Sequence, residues 1–113
     1  MGCLFGARLT PHADVTLIGR WPEQIAALQR GPLRLLSGGG DESIALCVTD
    51  DIESVDPVDV ALVVTKTQKT AAAGEGAARI LKPDGLAITL QNGVGNLEIL
   101  AGLLGDDRVA LGV

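Results

Sequence analysis

The stretch VDVALVVTK, from Val58 to Lys66, is the strongest strand signal in the sequence. Its branched aliphatic residues occupy both faces, which is typical of a strand buried on both sides of a parallel sheet. We therefore predict a central strand here. A helix-compatible, alanine-rich segment follows at 68–81, and LAITLQNG, from Leu86 to Gly93, predicts the next strand.

The alternation of helix and strand continues downstream. The residues KPDG, 82–85, predict a turn before the strand at Leu86. Asn96 is well placed as the N-cap of a helix that Gly105 ends. The final residues, RVALGV, predict a last strand.

Upstream of Val58 the signals are shorter. DVTLIGR, residues 14–20, predicts a buried strand, and WPEQIAALQRG predicts a helix that begins at Pro22 and ends before Gly31. The runs LRLLS and SIALCVT flank GGGDE, and they predict a hairpin or a meander around a turn. Strand, helix, strand, helix, strand is typical of a parallel α/β sheet.

Composition excludes several classes of protein. The 113 residues carry a net charge of −5 and a pI near 4.6, which disfavours a nucleic-acid or anionic-membrane surface. No apolar run approaches the roughly 20 residues of a membrane span, and no leader pattern is present, so we predict a cytoplasmic protein. Cys3 and Cys47 lack the spacing of a disulfide or metal motif, so we expect no metal and two buried thiols.

The first residues, MGCLFGARLT, place Gly2 and Gly6 four apart in a predicted helix. In dinucleotide-binding folds a first strand runs into G-x-G-x-x-G, whose third glycine lets the following helix pack closely on the sheet. Gly2 fits that third glycine, with the first strand and two leading glycines missing, and Gly6 extends the thin helix face. The alternative is that both glycines are incidental small residues.

Arg20 follows the strand 14–20 at its carboxyl end, where such folds read the adenosine ribose. An arginine there pairs with the oxygens of a 2′-phosphate, whereas an acidic residue would repel it. Arg20 therefore favours NADP(H) over NAD(H) if the fold is correct. Outside that fold it would be a solvated arginine at a strand end.

The segments GCLFGARL, DVTLIGR, VVTK and LQNGVGNLE, in this order and spacing, resemble the N-terminal domain of the ketopantoate reductase family. The resemblance covers nearly the whole chain. It implies a Rossmann-type α/β fold and NADPH-dependent reduction of 2-dehydropantoate to pantoate, on the route to pantothenate and coenzyme A. Residues 1–113 then form a partial Rossmann domain, truncated at both ends, and the family's helical second domain is absent.

The resemblance also implies roles for individual residues. Lys66 matches a lysine that faces the nicotinamide, and Asn92 matches an asparagine that contacts both cofactor and substrate. Gly2, Arg20, Lys66 and Asn92 are thus the expected cofactor-binding residues, and Lys66 and Asn92 the expected substrate-binding residues. Thr65 and Gln68 are further candidates for lining the site. Without the family context, Lys66 would be a surface lysine and Asn92 half of an Asn-Gly turn.

No catalytic residue is expected in this chain, because the family's proton donor is a lysine of the helical domain. We expect weak or no cofactor binding and no activity from the isolated chain. The absence of the first strand exposes the edges of its two neighbours, which either close up or leave the chain poorly packed and prone to associate. The expected partner is a small 2-oxo acid, with no nucleic acid or membrane, and the full-length form could be a homodimer. Two alternatives remain: another NADP oxidoreductase of the 6-phosphogluconate dehydrogenase-like type, and a non-catalytic nucleotide-binding module.

Overall fold

The structure is a computed structural model that describes residues 1–37 and 39–113. Within these residues the chain forms two compact units, Met1–Ser54 and Val55–Val113. We call them the N-terminal unit and the C-terminal unit. Each unit has its own parallel strands and its own helices.

The N-terminal unit is built on a parallel strand pair with a hairpin inserted in the crossover. Its elements are α1 (Gly2–Leu9), β1 (Thr16–Ile18), α2 (Pro22–Arg30), β2 (Leu33–Ser37), β3 (Gly40–Ile44) and β4 (Cys47–Thr49). Strands β1 and β4 pair in parallel, and β2 and β3 pair antiparallel. The predicted helix from Pro22 to before Gly31 and the predicted hairpin are both confirmed.

The second run of the hairpin prediction divides at a different point. SIALCVT is shared between β3, which ends at Ile44, and β4, which begins at Cys47. Gly40 and the acidic pair after it lie in β3 and not in a turn, while Gly38 lies outside the described residues. Asp41 and Glu42 pair with residues of β2, and Asp41 also forms an ion pair with Arg34 across the hairpin. Local polarity predicted a turn there, and cross-strand pairing overrides it.

Helix α1 packs closely on β1 because its contact position is a glycine. Gly6 is buried, and a Cβ built on it would lie 2.8 Å from Leu17 Cδ2. The predicted thin face of this helix is therefore present at Gly6. Gly2, at the start of the helix, is half-buried.

The C-terminal unit is a continuous βαβαβ arrangement. Its elements are β5 (Val58–Val63), α3 (Thr70–Ile80), β6 (Leu81–Thr89), α4 (Asn96–Leu104) and β7 (Val109–Leu111). The three strands pair in parallel in the order β5-β6-β7. Each crossover carries one helix, as parallel pairing requires. The alternation of elements predicted for this half of the chain is confirmed.

The KPDG segment is an irregularity inside β6, so the predicted turn between helix and strand was wrong. Strand β6 begins at Leu81, which pairs with Val58, but Val60 already pairs with Leu86. Five residues of β6 therefore lie opposite two of β5. Arg108 fixes this bulged backbone, because its guanidinium donates to the carbonyl oxygens of Lys82 at 2.7 Å and Gly85 at 3.2 Å.

Strand β5 is an edge strand of its sheet, so its predicted central position was wrong for the residues described. It pairs with β6 alone, and Val60 is 49% exposed. In the N-terminal unit β1 likewise pairs with β4 alone. Apolar residues on both faces of a strand indicate that both faces are covered. They do not indicate whether its two edges pair with other strands. The expectation that both strands have an open edge agrees with this pairing in the described chain.

The core of the C-terminal unit is aliphatic, as a chain with 2% aromatic residues requires. Ala77, Leu81, Ala87 and Leu104 form its buried cluster, and the half-buried residues Val58, Ala61 and Val109 pack against it. Both cysteines are free thiols, as predicted, but Cys47 is exposed and Cys3 half-buried, so their predicted burial was wrong. Cys47 is the first residue of the three-residue strand β4.

Two glycines of the C-terminal unit should respond oppositely to alanine. A Cβ on Gly74 of α3 would lie 2.9 Å from Cδ2 of the fully buried Leu100, whereas one on Gly102 of α4 would meet nothing within 4 Å. We expect Gly74→Ala to lower the free energy of unfolding by about 1–2 kcal/mol through overpacking. Gly102→Ala should raise it by about 0.5–1 kcal/mol through helix propensity.

Urea unfolding followed by far-ultraviolet circular dichroism measures both changes. Since the two substitutions are chemically identical, a stabilised Gly74→Ala variant would show that α3 and α4 do not pack as described.

Candidate functional site

The carboxyl ends of β5 and β6 lie side by side in the C-terminal unit. Val63 pairs with Thr89, and the ladder continues where Leu90 N donates to the Val63 carbonyl at 3.2 Å. The chain then leaves both strands at the same edge. We call residues 64–69 the β5-end segment and residues 90–95 the β6-end segment. In open α/β sheets, ligands bind at this edge.

The structure brings the segments that carry Lys66 and Asn92 together at this edge. Each residue lies three positions after a member of the Val63 and Thr89 pair, and both are exposed. Thr67 Oγ1 donates to the Asn92 carbonyl oxygen at 3.3 Å and so joins the two segments directly. Among the residues described, nothing pairs with the Lys66 ammonium group, which is therefore available to an anion.

The two lower-ranked candidates have different surroundings. Thr65 is held by Gln91, whose side-chain nitrogen Nε2 donates to the Thr65 carbonyl at 2.9 Å and lies 3.3 Å from Thr65 Oγ1. Gln68 lies in a short 3-10 helix, Thr67–Lys69, and is exposed. Thr65 is thus a fixed part of the site's backbone, whereas Gln68 stands on its surface.

A buried polar cluster lies beneath the two segments. Its members are all the buried polar side chains found in the described parts of the chain: Thr70, Thr89, Gln91 and Asn96. Three of the four are at most 1% exposed, and Gln91 is 9% exposed. We call this group the polar cluster.

Hydrogen bonds connect every member of the polar cluster. Gln91 Nε2 donates to Thr70 Oγ1 at 2.9 Å, and Thr70 Oγ1 donates in turn to Asn96 Oδ1 at 2.9 Å. Thr89 Oγ1 donates to Gln91 Oε1 at 2.9 Å. Asn96 Nδ2 donates to the Asn92 carbonyl at 3.4 Å, which returns the chain of bonds to the β6-end segment. In the described residues no buried side-chain polar atom lacks a partner.

The predicted N-cap role of Asn96 was wrong. Gly95 occupies the cap position with φ +89°, and Asn96 is the first residue of α4, with no side-chain capping bond. Its side chain turns inward because Thr70 and the Asn92 carbonyl supply partners for its oxygen and nitrogen. A polar residue with buried partners is held there in preference to capping a solvent-exposed helix end.

Sequence reasoning missed Gln91, Thr70 and Asn96 as members of the site, although a periodic signal was present. Gln91 follows Ala87 and Thr89 at every second position, so it falls on the buried face of the strand. Thr70 and Asn96 each stand one helical turn before a buried residue of their own helix, Gly74 and Leu100 respectively. A polar residue in register with an apolar row marks such a cluster.

The remaining two candidates lie in the N-terminal unit. Gly2 lines a cavity of about 180 Å³ together with Ile18 and Gly19 at the end of β1. Arg20 is the next residue, is exposed, and makes no ion pair within the described residues. The start of α1 and the end of β1 therefore border one hollow. Arg20, whose guanidinium is unpaired among the described residues, follows the lining residue Gly19 in the sequence.

These features suit anionic and hydrogen-bonding ligands. An arginine presents a planar fork of donors that matches phosphate oxygens. A lysine supplies a point charge for a carboxylate, and an asparagine side chain offers both a donor and an acceptor. Backbone amides at the start of α1 provide further donors.

Comparison with known proteins identifies the family. The protein-family model described as ketopantoate reductase PanE/ApbA matches residues 1–113. The 2-dehydropantoate 2-reductase of Halobacterium salinarum is 31% identical over 115 residues, covering 99% of this chain and 37% of that protein. The chain thus spans about a third of the length of this relative.

Solved structures agree on the fold. The 2-dehydropantoate 2-reductase of Geobacter metallireducens superimposes with a TM-score of 0.80 at 34% identity, covering 97% of this chain and 36% of that one. A D-mandelate dehydrogenase solved with NADH and anilino(oxo)acetate gives a TM-score of 0.86 at 23% identity, covering 96% and 36%. The predicted Rossmann-type fold is confirmed.

The helices of residues 1–37 and 39–113 do not combine the length and apolar character that crossing a membrane requires.

The β6-end segment depends on Gly93, whose φ is +113°. A side chain there is strained by on the order of 1–3 kcal/mol. We expect Gly93→Ala to lower the free energy of unfolding by about that amount, measured by urea denaturation. Gly31→Ala is the matched control, because Gly31 has φ −168° and a Cβ there meets nothing within 4 Å. Equal effects of the two substitutions would contradict the loop conformation.

Proposed function

On the premise that this chain belongs to the ketopantoate reductase family, we propose that it supplies cofactor-binding residues for the NADPH-dependent reduction of 2-dehydropantoate to pantoate. This reaction belongs to pantothenate and coenzyme A biosynthesis, which we assign to the cytoplasm. Residues 1–113 are a partial Rossmann domain in this proposal. The observation that carries it is the pair of exposed residues, Lys66 and Asn92, at the carboxyl ends of two adjacent parallel strands.

In the N-terminal unit, Gly2 and Arg20 bind the adenosine half of the cofactor. Gly2 leaves room for a phosphate at the start of α1, and the cavity it lines with Gly19 takes the ribose. The Arg20 guanidinium pairs with the 2′-phosphate, which selects NADP(H) over NAD(H). The support for this assignment is that Arg20, which is exposed, directly follows Gly19, a residue that lines a hollow of about 180 Å³ together with Gly2.

In the C-terminal unit, Lys66 and Asn92 bind the nicotinamide half and the substrate. The Lys66 ammonium pairs with the carboxylate of the 2-oxo acid, and the Asn92 amide bonds to a hydroxyl of the cofactor or to the substrate's oxygen. Bound NADPH supplies the hydride for the C2 carbonyl carbon. The Lys66 ammonium and the Asn92 amide would be the donors that stabilise the charge developing on the carbonyl oxygen.

The proton that completes the reduction has no donor that we assign in this chain. Lys82 is the lysine of β6, but its Nζ lies 2.7 Å from Asp59 Oδ1 near the start of the strand. It is therefore held at the opposite end of β6 from Asn92. The chain's part in the reaction is to bind and orient.

The cofactor preference is tested with nucleotides that represent only the adenosine half of each cofactor. Nuclear magnetic resonance titration of the ¹⁵N-labelled chain detects weak binding, and we expect 2′,5′-ADP to bind roughly tenfold more tightly than 5′-AMP. Arg20→Ala should abolish this preference. Arg30→Ala removes the same charge from the end of α2 and should leave the preference intact. Equal affinities for the two nucleotides in the unaltered chain would refute the assignment of NADP(H).

The substrate role of the C-terminal unit needs a separate titration, with pantoate as the 2-hydroxy acid. We expect shifts confined to amides of residues 64–69 and 90–95. Lys66→Ala should weaken binding roughly tenfold through loss of a charged hydrogen bond, while Lys69→Ala, with the same change of charge, should have little effect. Equal losses from both lysines would indicate only a general attraction between charges.

A further inference from the structure

We infer that the polar cluster, through its members Thr70, Gln91 and Asn96, is a positioning device that locks the β5-end and β6-end segments into one geometry. It rests on the proposed function for the identity of what is positioned, namely Lys66 and Asn92. The cluster does not touch ligand. It acts through the backbone on which those two exposed side chains stand.

The first support is where polarity is buried. The described residues bury four polar side chains, and all four belong to this cluster. Burying polar groups is unfavourable unless each is bonded, and apolar residues of the same shape would be as stable or more so. A chain whose core is otherwise aliphatic thus concentrates its buried polarity beneath one sheet edge.

The second support is the route of the hydrogen bonds. Gln91 Nε2 holds the Thr65 carbonyl at 2.9 Å, one residue before Lys66. From Gln91 the bonds pass to Thr70 and on to Asn96, whose Nδ2 donates to the Asn92 carbonyl. The residue before one predicted ligand-binding side chain is therefore joined to the other through three buried partners.

The third support is that the bonds run between elements. The residue pairs joined by Gln91–Thr65, Gln91–Thr70 and Thr70–Asn96 are 26, 21 and 26 positions apart in the chain. Local loop bonds would stabilise each segment without relating it to the other. These bonds join the β6-end segment to the β5-end segment and to α3, and they join α3 to α4, so the two segments are coupled.

The test uses two near-isosteric variants and one control in the full chain. Thr70→Val removes the shared hydroxyl, and Gln91→Met removes the donors to Thr65. The control is Arg108→Met, which loses bonds to the Lys82 and Gly85 carbonyls near the start of β6. It destabilises the same unit without touching the cluster.

The first measurement needs no ligand. Backbone order parameters from ¹⁵N relaxation should fall in both segments from rigid values near 0.85 to below roughly 0.6 in Thr70→Val and Gln91→Met. They should stay unchanged there in Arg108→Met. Unaltered order parameters in both cluster variants, or an equal loss in the control, would overturn the proposal.

The second measurement separates positioning from general stability. The Kd for NADPH should rise roughly five- to tenfold in the cluster variants, while the Kd for 2′,5′-ADP stays within about twofold. Equal weakening of both ligands would overturn the positioning role. If the unaltered chain binds no NADPH, relaxation alone decides whether the cluster locks the segments, and the nucleotide and pantoate titrations test the proposed function separately.

Discussion

Parallel pairing of β5 with β6 is the constraint on which the candidate site depends. Because parallel strands end at the same edge, the register of Val63 with Thr89 fixes where both chains leave the sheet. Lys66 and Asn92 each follow three residues after a member of that pair. A shift of one residue would turn the buried face of β6 outward and move Gln91 away from Thr65.

The pairing of β5 with β6 is irregular at the other end of β6. The bulged KPDG segment takes up the extra residues between the first pair, Val58 with Leu81, and the regular ladder that starts at Val60. Arg108 bonds to two carbonyls of the bulge and holds it against the start of β7. This irregularity lies at the end of β6 opposite to the candidate site.

Small residues decide how closely helices approach in both units. Gly6 lets α1 lie against Leu17 of β1, and Gly74 lets α3 lie against Leu100 and Leu103 of α4. Both glycines lower helix propensity and would weaken an isolated helix. These glycines favour the fold only because they allow close contact with a neighbouring element, where a larger residue would clash.

Membership of the family could be predicted from the sequence, whereas the binding role of the strand ends stays a prediction. LQNGVGNLE and the lysine that ends VDVALVVTK identified the residues that come to lie at adjacent strand ends. The positions of strands within their sheets were harder to predict. Residues on β5 that are apolar on both faces describe its covering layers, whereas its neighbours are chosen by hydrogen bonds that leave no compositional trace.

By itself, then, the sequence determined the order of elements, the aliphatic core and the residues exposed at the carboxyl ends of the strands. These properties follow from local periodicity and from motifs that lie within a few residues. Only the tertiary structure decided that Thr70, Gln91 and Asn96 form one buried cluster and that Asn96 faces inward instead of capping α4. Their partners are more than 20 positions away in the chain, and such pairings exist only once three separate elements have packed together.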